Sequence, residues 1–380
     1  MNLFEDLNDS QKQAVSHIDG AMLILAGAGS GKTKTITTRL AYLIGEVGIP
    51  SYNTLTLTFT NKAASVMRHR ALNFLQGNHN PLLCTFHKFG LLFLKLHFER
   101  LERKNSFIVI DTDDTKKIIK DLIHDKNKDN VYDIIKYISY CKNEGKRVSN
   151  VFKDLNLLKE HNFEKYQNEY KFANYYRAYE EYLLKQNFVD FDDLLLLSNL
   201  ILENDINFAK EQSLLYNYIT VDEYQDTNTL QYKILKNLCC MHENITVVGD
   251  DDQSIYSWRG AKIENILNFQ NDFKNVKLVK LEQNYRSVGT ILQAANNLIS
   301  HNEQRLGKTL ICTKDTGENI KILKNENEKD EGLYIAQEVK KLLNSEVEAK
   351  EITVLFRVNA LSRAIEEAFM KEKISYKLLS

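Results

Sequence analysis

The sequence predicts an α/β fold in which helices cover a parallel sheet and a helical subdomain interrupts the chain. Two observations predict it. Short, almost continuously apolar runs alternate with segments of helical period, as strands buried on both faces do. The first such run leads into a glycine-rich loop and then directly into a helical pattern, the order of a strand–loop–helix phosphate site.

The strands expected, in order, are Ala21–Ala26, Leu55–Phe59, Leu82–Thr85, Ile219–Asp222, Ile245–Gly249, Val276–Leu281, Ile320–Leu323 and Ile352–Phe356. Between many of them lie helix-period segments: Asn61–Leu75, Thr229–Leu238, Ser287–His301 and Glu331–Leu343. From about Leu91 to Leu202 strand signal is weak. Stretches such as Val131–Lys142 and Tyr166–Lys185 are rich in Lys, Glu, Tyr and Leu, and predict an inserted helical subdomain. Lys324–Asp330 is a polar loop. The sequence ends at Leu378-Leu379-Ser380, just past an apparent strand, which leads us to expect a fragment.

A chain of 380 residues holds two or three domains of ordinary size. Apolar content of 43% and charged content of 27% suit a folded soluble protein. The net charge of −1 means that any basic groove for nucleic acid must be local. Residues 1–10 contain Glu5, Asp6 and Asp9 and do not look like a signal peptide, and no apolar run approaches the ~20 residues that span a bilayer. Cys84, Cys141, Cys239, Cys240 and Cys312 form no CxxC pair, so reduced thiols and a cytoplasmic location are expected. The Cys239-Cys240-Met241-His242 corner lacks further ligands at metal-site spacing.

The glycine loop is Ala26-Gly27-Ala28-Gly29-Ser30-Gly31-Lys32-Thr33. Glycines let successive backbone N–H groups curl inward onto phosphate oxygens, and the following helix adds its positive dipole end. Lys32 suits the β- and γ-phosphates of ATP and Thr33 suits Mg2+. Ala26 stands where the strict pattern has Gly. A second strand ends in Asp222-Glu223, as expected for the metal half of such a site. Asp222 would hold Mg2+, and Glu223 would orient the attacking water.

Several further segments carry a resemblance to one family. Asp222-Glu223-Tyr224-Gln225-Asp226-Thr227-Asn228 resembles a signature of UvrD/PcrA/Rep helicases of superfamily 1. So do residues 248–261, which include Gln253, Tyr256, Trp258 and Arg259, and Gln283-Asn284-Tyr285-Arg286-Ser287. Leu7-Asn8-Asp9-Ser10-Gln11, residues 58–64, Thr85-Phe86-His87, residues 356–360 and Ser362-Arg363 match in the family's order.

The resemblance implies a RecA-like P-loop NTPase domain in two segments, 1–95 and 188–277. The helical insert would be 96–187, and residues 278–380 would be the truncated N-terminal part of a second RecA-like domain. It further implies that Gln11 reads adenine, Tyr285 stacks on it, Arg286 is an arginine finger and Gln253 senses the γ-phosphate. Phe59, Phe191, Tyr256 and Trp258 resemble the aromatics over which bases step, and stacking tolerates any sequence. Asn61, His87, Arg259 and Arg357 would hold phosphates or sugars, although His87 equally suits a structural hydrogen bond. Asp250-Asp251-Asp252 reads as a solvated turn capping the next helix rather than a second metal site.

The function implied is an ATP-driven 3′→5′ single-stranded DNA translocase and helicase of repair or replication. Its partners would be single-stranded DNA, strand junctions and repair proteins, with no membrane, and the chain would be monomeric or weakly self-associating. Two family motifs do not occur before Ser380, so slow turnover of these residues alone is expected. The alternative is a non-catalytic fragment that binds ATP and single-stranded DNA. A small-molecule P-loop kinase is opposed by residues 222–228 and 253–258.

Overall fold

The computed structural model describes residues 3–75, 77–123, 128–161 and 163–379. Ten strands occur among them: β1 (Met22–Ala26), β2 (Thr54–Thr58), β3 (Leu82–Thr85), β4 (Ile108–Val109), β5 (Phe188–Val189), β6 (Tyr218–Val221), β7 (Ile245–Gly249), β8 (Lys277–Leu281), β9 (Gln283–Asn284) and β10 (Ile311–Cys312). Six of them form one sheet in the order β3-β2-β6-β7-β1-β8, every neighbouring pair parallel. By compactness the chain divides into Met1–Gly317 and Glu318–Ser380.

Period-two alternation explains why the sheet is buried on both faces. In β1, Leu23 and Leu25 join one core with Leu55, Leu57, Phe86, Leu194 and Ile234. Met22, Ile24 and Ala26 face the other, with Ile36, Leu40, Met67, Val248 and Val279. The covering helices start where polar caps allow. Asn8 and Gln11 form a reciprocal capping box for Asp9–Ser16, and Asn228 and Gln231 do the same for Thr229–Leu238. Thr60 and Thr85 cap the helices that follow β2 and β3.

The insertion is helical as expected, built from Thr112–Leu122, Lys128–Asn143, Val148–His161 and Phe163–Gln186 around its own core. Ile118, Ile134, Val151, Tyr176 and Tyr179 are among the side chains buried there. Residues 124–127 and 162 of the expected helical region, and Ser380, lie outside the described residues. A short parallel pairing of β4 with β5 closes the base of the insertion. The helix Asp193–Asn204 packs instead on the main core, through Leu194, Leu195 and Leu196. This is a RecA-like P-loop NTPase fold with an inserted helical subdomain.

Two expected strands are absent among the described residues. Ile320–Leu323 and Ile352–Phe356 make no ladder with any neighbour. A strand exists through hydrogen bonds to an adjacent chain, so apolar sequence alone does not make one. Residues 320–323 are exposed throughout. In the second segment Ile352 and Val354 pack against the helices Glu328–Asn344 and Ser362–Lys371, while Leu355 is 89% exposed. The alternation of a half-covered strand therefore survives without the pairing. Helix Glu328–Asn344 also starts inside the expected polar loop, because Asn327 caps it.

At Gly90 the helix Phe86–His97 closely approaches the helix Asp193–Asn204. A Cβ there would lie 2.4 Å from the Leu194 carbonyl oxygen, which is backbone and cannot swing aside. Gly90→Ala is expected to destabilise the fold by about 1–3 kcal/mol, read as a lower urea midpoint at unchanged slope.

Candidate nucleotide and nucleic-acid site

The segments singled out in the sequence converge because each follows the C-terminal end of a strand of one parallel sheet. Residues 27–31 follow β1, Phe59 follows β2, His87 follows β3, Glu223 follows β6 and Asp250 follows β7. In open α/β sheets this edge is where ligands bind.

The phosphate loop passes through left-handed backbone at Gly29 (φ +71°) and Gly31 (φ +86°), and Lys32 starts the helix Lys32–Gly45. Its surroundings are as tight as its backbone. A Cβ on Gly31 would come within 2.5 Å of Gln11 Nε2, and one on Gly29 within 2.6 Å of Arg286 Cβ. A Cβ at Gly27 would strike Leu310. Gln11 is buried, donates from Nε2 to the Ser30 carbonyl at 3.1 Å and accepts from the Asn8 N–H at 3.1 Å. The second limb closes on the same loop. Tyr285 N–H donates to Gly29 O at 3.0 Å, and Asn284 Nδ2 to Ala28 O at 2.6 Å. Asn8 Nδ2 reaches the Tyr285 hydroxyl at 2.7 Å, so Gln11, Asn8 and Tyr285 share one corner. Arg286 lies beside the loop with its side chain exposed.

Opposite stands the acidic pair. Lys32 Nζ is 3.0 Å from Glu223 Oε2. Glu223 itself sits in the left-handed region (φ +50°), a conformation a non-glycine residue holds only when its surroundings enforce it. Asp222 is 5% exposed, and burial, then the Glu223 charge, push its carboxyl up to about 7. Burial and Glu223 likewise raise Asp226 to about 6. A buried carboxylate whose charge Lys32 offsets only in part, at the strand end beside the glycine loop, fits a divalent cation that Thr33 and Asp222 could hold.

Gln225 joins this pair to the next loop. Its buried amide donates to Glu223 Oε2 at 2.9 Å and accepts the Asp250 backbone N–H at 2.9 Å. Gln253 then donates its side-chain amide to Asp250 Oδ2. The three carboxylates that follow β7 come together within 4.8 Å, but the expected solvated turn is corrected: Asp250 and Asp251 are buried. Lys308 Nζ sits among all three, at 2.5, 2.9 and 2.6 Å, and Arg305 clamps Asp252 at 3.0 and 2.7 Å. An ammonium already fills the place a metal would take.

Aromatics line the same edge. Trp258 is 72% exposed and Phe191 is 59% exposed, so neither is a core residue. The Arg259 guanidinium lies 4.6 Å from the Trp258 ring and 5.2 Å from the Tyr256 ring. Phe191 stacks on His87 at 4.5 Å, and Phe59 packs beside Phe86 at 5.9 Å, partly buried. Burial lowers His87 to about 4, so near pH 7 it meets a partner as a neutral ring. Asn61 is exposed at the first turn of the helix Asn61–Leu72. Arg357 belongs to the unit Glu318–Ser380 and is exposed there.

The residues without an assigned role in the sequence are Asn8, Gln225, Asn284, Arg305 and Lys308. The first three lie inside the quoted segments and carried a signal. Arg305 and Lys308 did not.

Comparison with known proteins places two family models end to end along the chain. The UvrD/REP helicase N-terminal domain model matches residues 7–274, and the UvrD-like helicase C-terminal domain model matches residues 279–380. The chain is 38% identical over 383 residues to the ATP-dependent DNA helicase PcrA of Staphylococcus epidermidis, covering 99% of this chain and 51% of that protein. It is 39% identical over 379 residues to a probable DNA helicase II homolog of Rickettsia conorii, covering 98% of this chain and 57% of that protein. The chain thus spans about half the length of the curated relatives it matches. No helix among the described residues is long and apolar enough to cross a membrane.

The raised Asp222 carboxyl makes a stability prediction. A group with a raised folded-state pKa stabilises the fold below its unfolded pKa and loses that contribution as pH rises through the folded value. In chelator, Asp222→Asn should gain stability relative to wild type between pH 3.8 and about 7 and hold that gain above. Urea midpoints across this range test it; a pH-independent difference contradicts it.

Proposed function

Since this chain belongs to the UvrD/REP helicase family, we propose that it is the ATP-binding part of a motor that moves 3′→5′ along single-stranded DNA and unwinds duplex. The observation that carries this is the pair of hydrogen bonds of Gln225, donated to Glu223 and accepted from the Asp250 backbone N–H. It ties the carboxylate beside the phosphate loop to the segment that carries Gln253, Tyr256, Trp258 and Arg259.

Residues 26–33 cradle the triphosphate, with Lys32 leaving Glu223 for the β- and γ-phosphates. Gln11 and Tyr285 hold the adenine. Thr33 and Asp222 would hold Mg2+, which would supply positive charge to offset that of the phosphates. Glu223, freed of Lys32, orients and polarises the attacking water. Arg286 stabilises charge on the transferring phosphoryl, an effect worth about 10³–10⁵ in rate. Gln253 exchanges its bond to Asp250 for the γ-phosphate and so reports its presence.

The strand lies over Phe59, Phe191, Tyr256 and Trp258, with Asn61, His87 and Arg259 on phosphates or sugars. Stacking is worth ~1–3 kcal/mol per base and carries no sequence preference, which suits a motor. Segments 1–95 and 188–277 form the first motor domain around the insert 96–187. Residues 278–380 lead into the second, their opening strand β8 shared with the first sheet. The change of family model between residues 274 and 279 supports that division.

ATPase assays with and without single-stranded DNA test the proposal. DNA is expected to raise hydrolysis severalfold in the wild-type chain. Lys32→Ala should abolish it, and Arg286→Ala should lower kcat by about 10³ with a small change in KM. Normal hydrolysis by Lys32→Ala would overturn the placement of the triphosphate.

A further inference from the structure

The loop that presents Phe191 is anchored from beneath by two consecutive residues of the insertion, Lys142 and Asn143. Lys142 is wholly buried, and its ammonium lies 2.7 Å from each of Asp190, Asp193 and Glu180. Asp190 also accepts from the Tyr179 hydroxyl at 3.1 Å and from the Asp193 N–H at 2.8 Å. Asn143 donates from Nδ2 to Asp192 Oδ1 at 2.9 Å. The residues on both sides of Phe191 are therefore pinned, while Phe191 itself is 59% exposed.

Asn143 faces two ways. Its Oδ1 accepts from Asn228 Nδ2 at 2.8 Å. Asn228 closes residues 222–228, caps the helix Thr229–Leu238 by accepting from the Gln231 N–H at 2.9 Å, and bridges to Ala261. A row of amides thus points one way, from Gln231 N–H to Asn228, from Asn228 to Asn143, and from Asn143 to Asp192. Each amide has its oxygen and its nitrogen committed, so none can flip without losing bonds. The neighbouring contacts reinforce the joint: Glu144 pairs with Lys262 at 3.2 Å, and Gly145 lies against Lys233 and Leu230.

We propose that Asn143 is a positioning residue that fixes the Phe191 loop to residues 222–228, so that the stacking ring and the acidic element move as one piece. Asn143 lies outside every segment that resembles a family motif. The proposal rests on the reading of Phe191 as a base-stacking residue. A pre-positioned ring pays less ordering entropy when a base stacks on it, and a ring on an unpinned loop loses that advantage.

A double-mutant cycle tests this, using the whole chain and a fluorescein-labelled oligothymidylate read by anisotropy. Phe191→Ala and Asn143→Ala are each expected to weaken binding about fivefold or more. The double variant should be little weaker than Phe191→Ala alone, because both changes remove one function. ATP affinity and the urea midpoint serve as controls that a general structural defect would move. If Asn143→Ala fails to fold, Asp192→Ala cuts the same bond from the other side and must reproduce the non-additivity. Unchanged binding by Asn143→Ala, or fully additive losses, overturns the proposal and leaves the role of Phe191 standing. Unchanged binding by Phe191→Ala overturns the proposal together with the stacking reading beneath it.

Discussion

One buried side chain holds the site together. The amide of Gln225 lies between two loops that leave neighbouring strands, β6 and β7, and it satisfies one group on each. Its nitrogen takes Glu223, whose backbone is already in left-handed conformation. Its oxygen takes the Asp250 N–H, a donor that would otherwise be buried and unpaired. Neither loop can shift without breaking a bond to Gln225, so a change at Glu223 is felt at Asp250 and, through Asp250, at Gln253. The coupling needs no long path, because parallel strands deliver both loops to the same edge of the sheet.

Charge is arranged on the same local plan. The chain is almost neutral overall, yet three sets of acidic groups, two buried and one half-buried, are each matched by a cation distant in sequence. Lys32 meets Glu223, Lys308 and Arg305 meet Asp250 to Asp252, and Lys142 meets Asp190, Asp193 and Glu180. Buried carboxylates without a partner would take up protons instead. Asp222 takes part in none of these pairs, and burial and the Glu223 charge raise its carboxyl to about 7, which suits it to a further cation. Segments far apart in sequence are thereby fixed to one another: 305–308 to the β7 loop, and the helical insertion to residues 190–193.

Much of this was legible in the sequence, for identifiable reasons. Strands buried on both faces read as apolar runs, and all six strands of the main sheet were expected within one residue of either end. Their order, with β8 at the sheet edge beside β1, could not be read, because pairing order leaves no mark on a strand's own residues. The same limitation misled at Ile320–Leu323 and Ile352–Phe356, where apolar sequence is not paired. In the site, short contiguous segments carried their chemistry with them: 26–33, 222–228, 253–259 and 283–287. Long-range partners did not. Nothing near Lys308 announces three aspartates nearly sixty residues earlier, and nothing near Asn143 announces Asn228 or Asp192. Asp250-Asp251-Asp252 looked solvated because a run of like charge usually is; Lys308 and Arg305 make its burial possible.

The central claim is that Gln225 couples the nucleotide to the strand. Its most direct test is the affinity for single-stranded DNA with and without a non-hydrolysable ATP analogue, in wild type and in Gln225→Ala. Coupling of about 1–3 kcal/mol is typical of linked sites, so the wild-type affinities should differ at least severalfold. In Gln225→Ala the ratio should fall toward one while both ligands still bind. An undiminished ratio in Gln225→Ala would contradict the account.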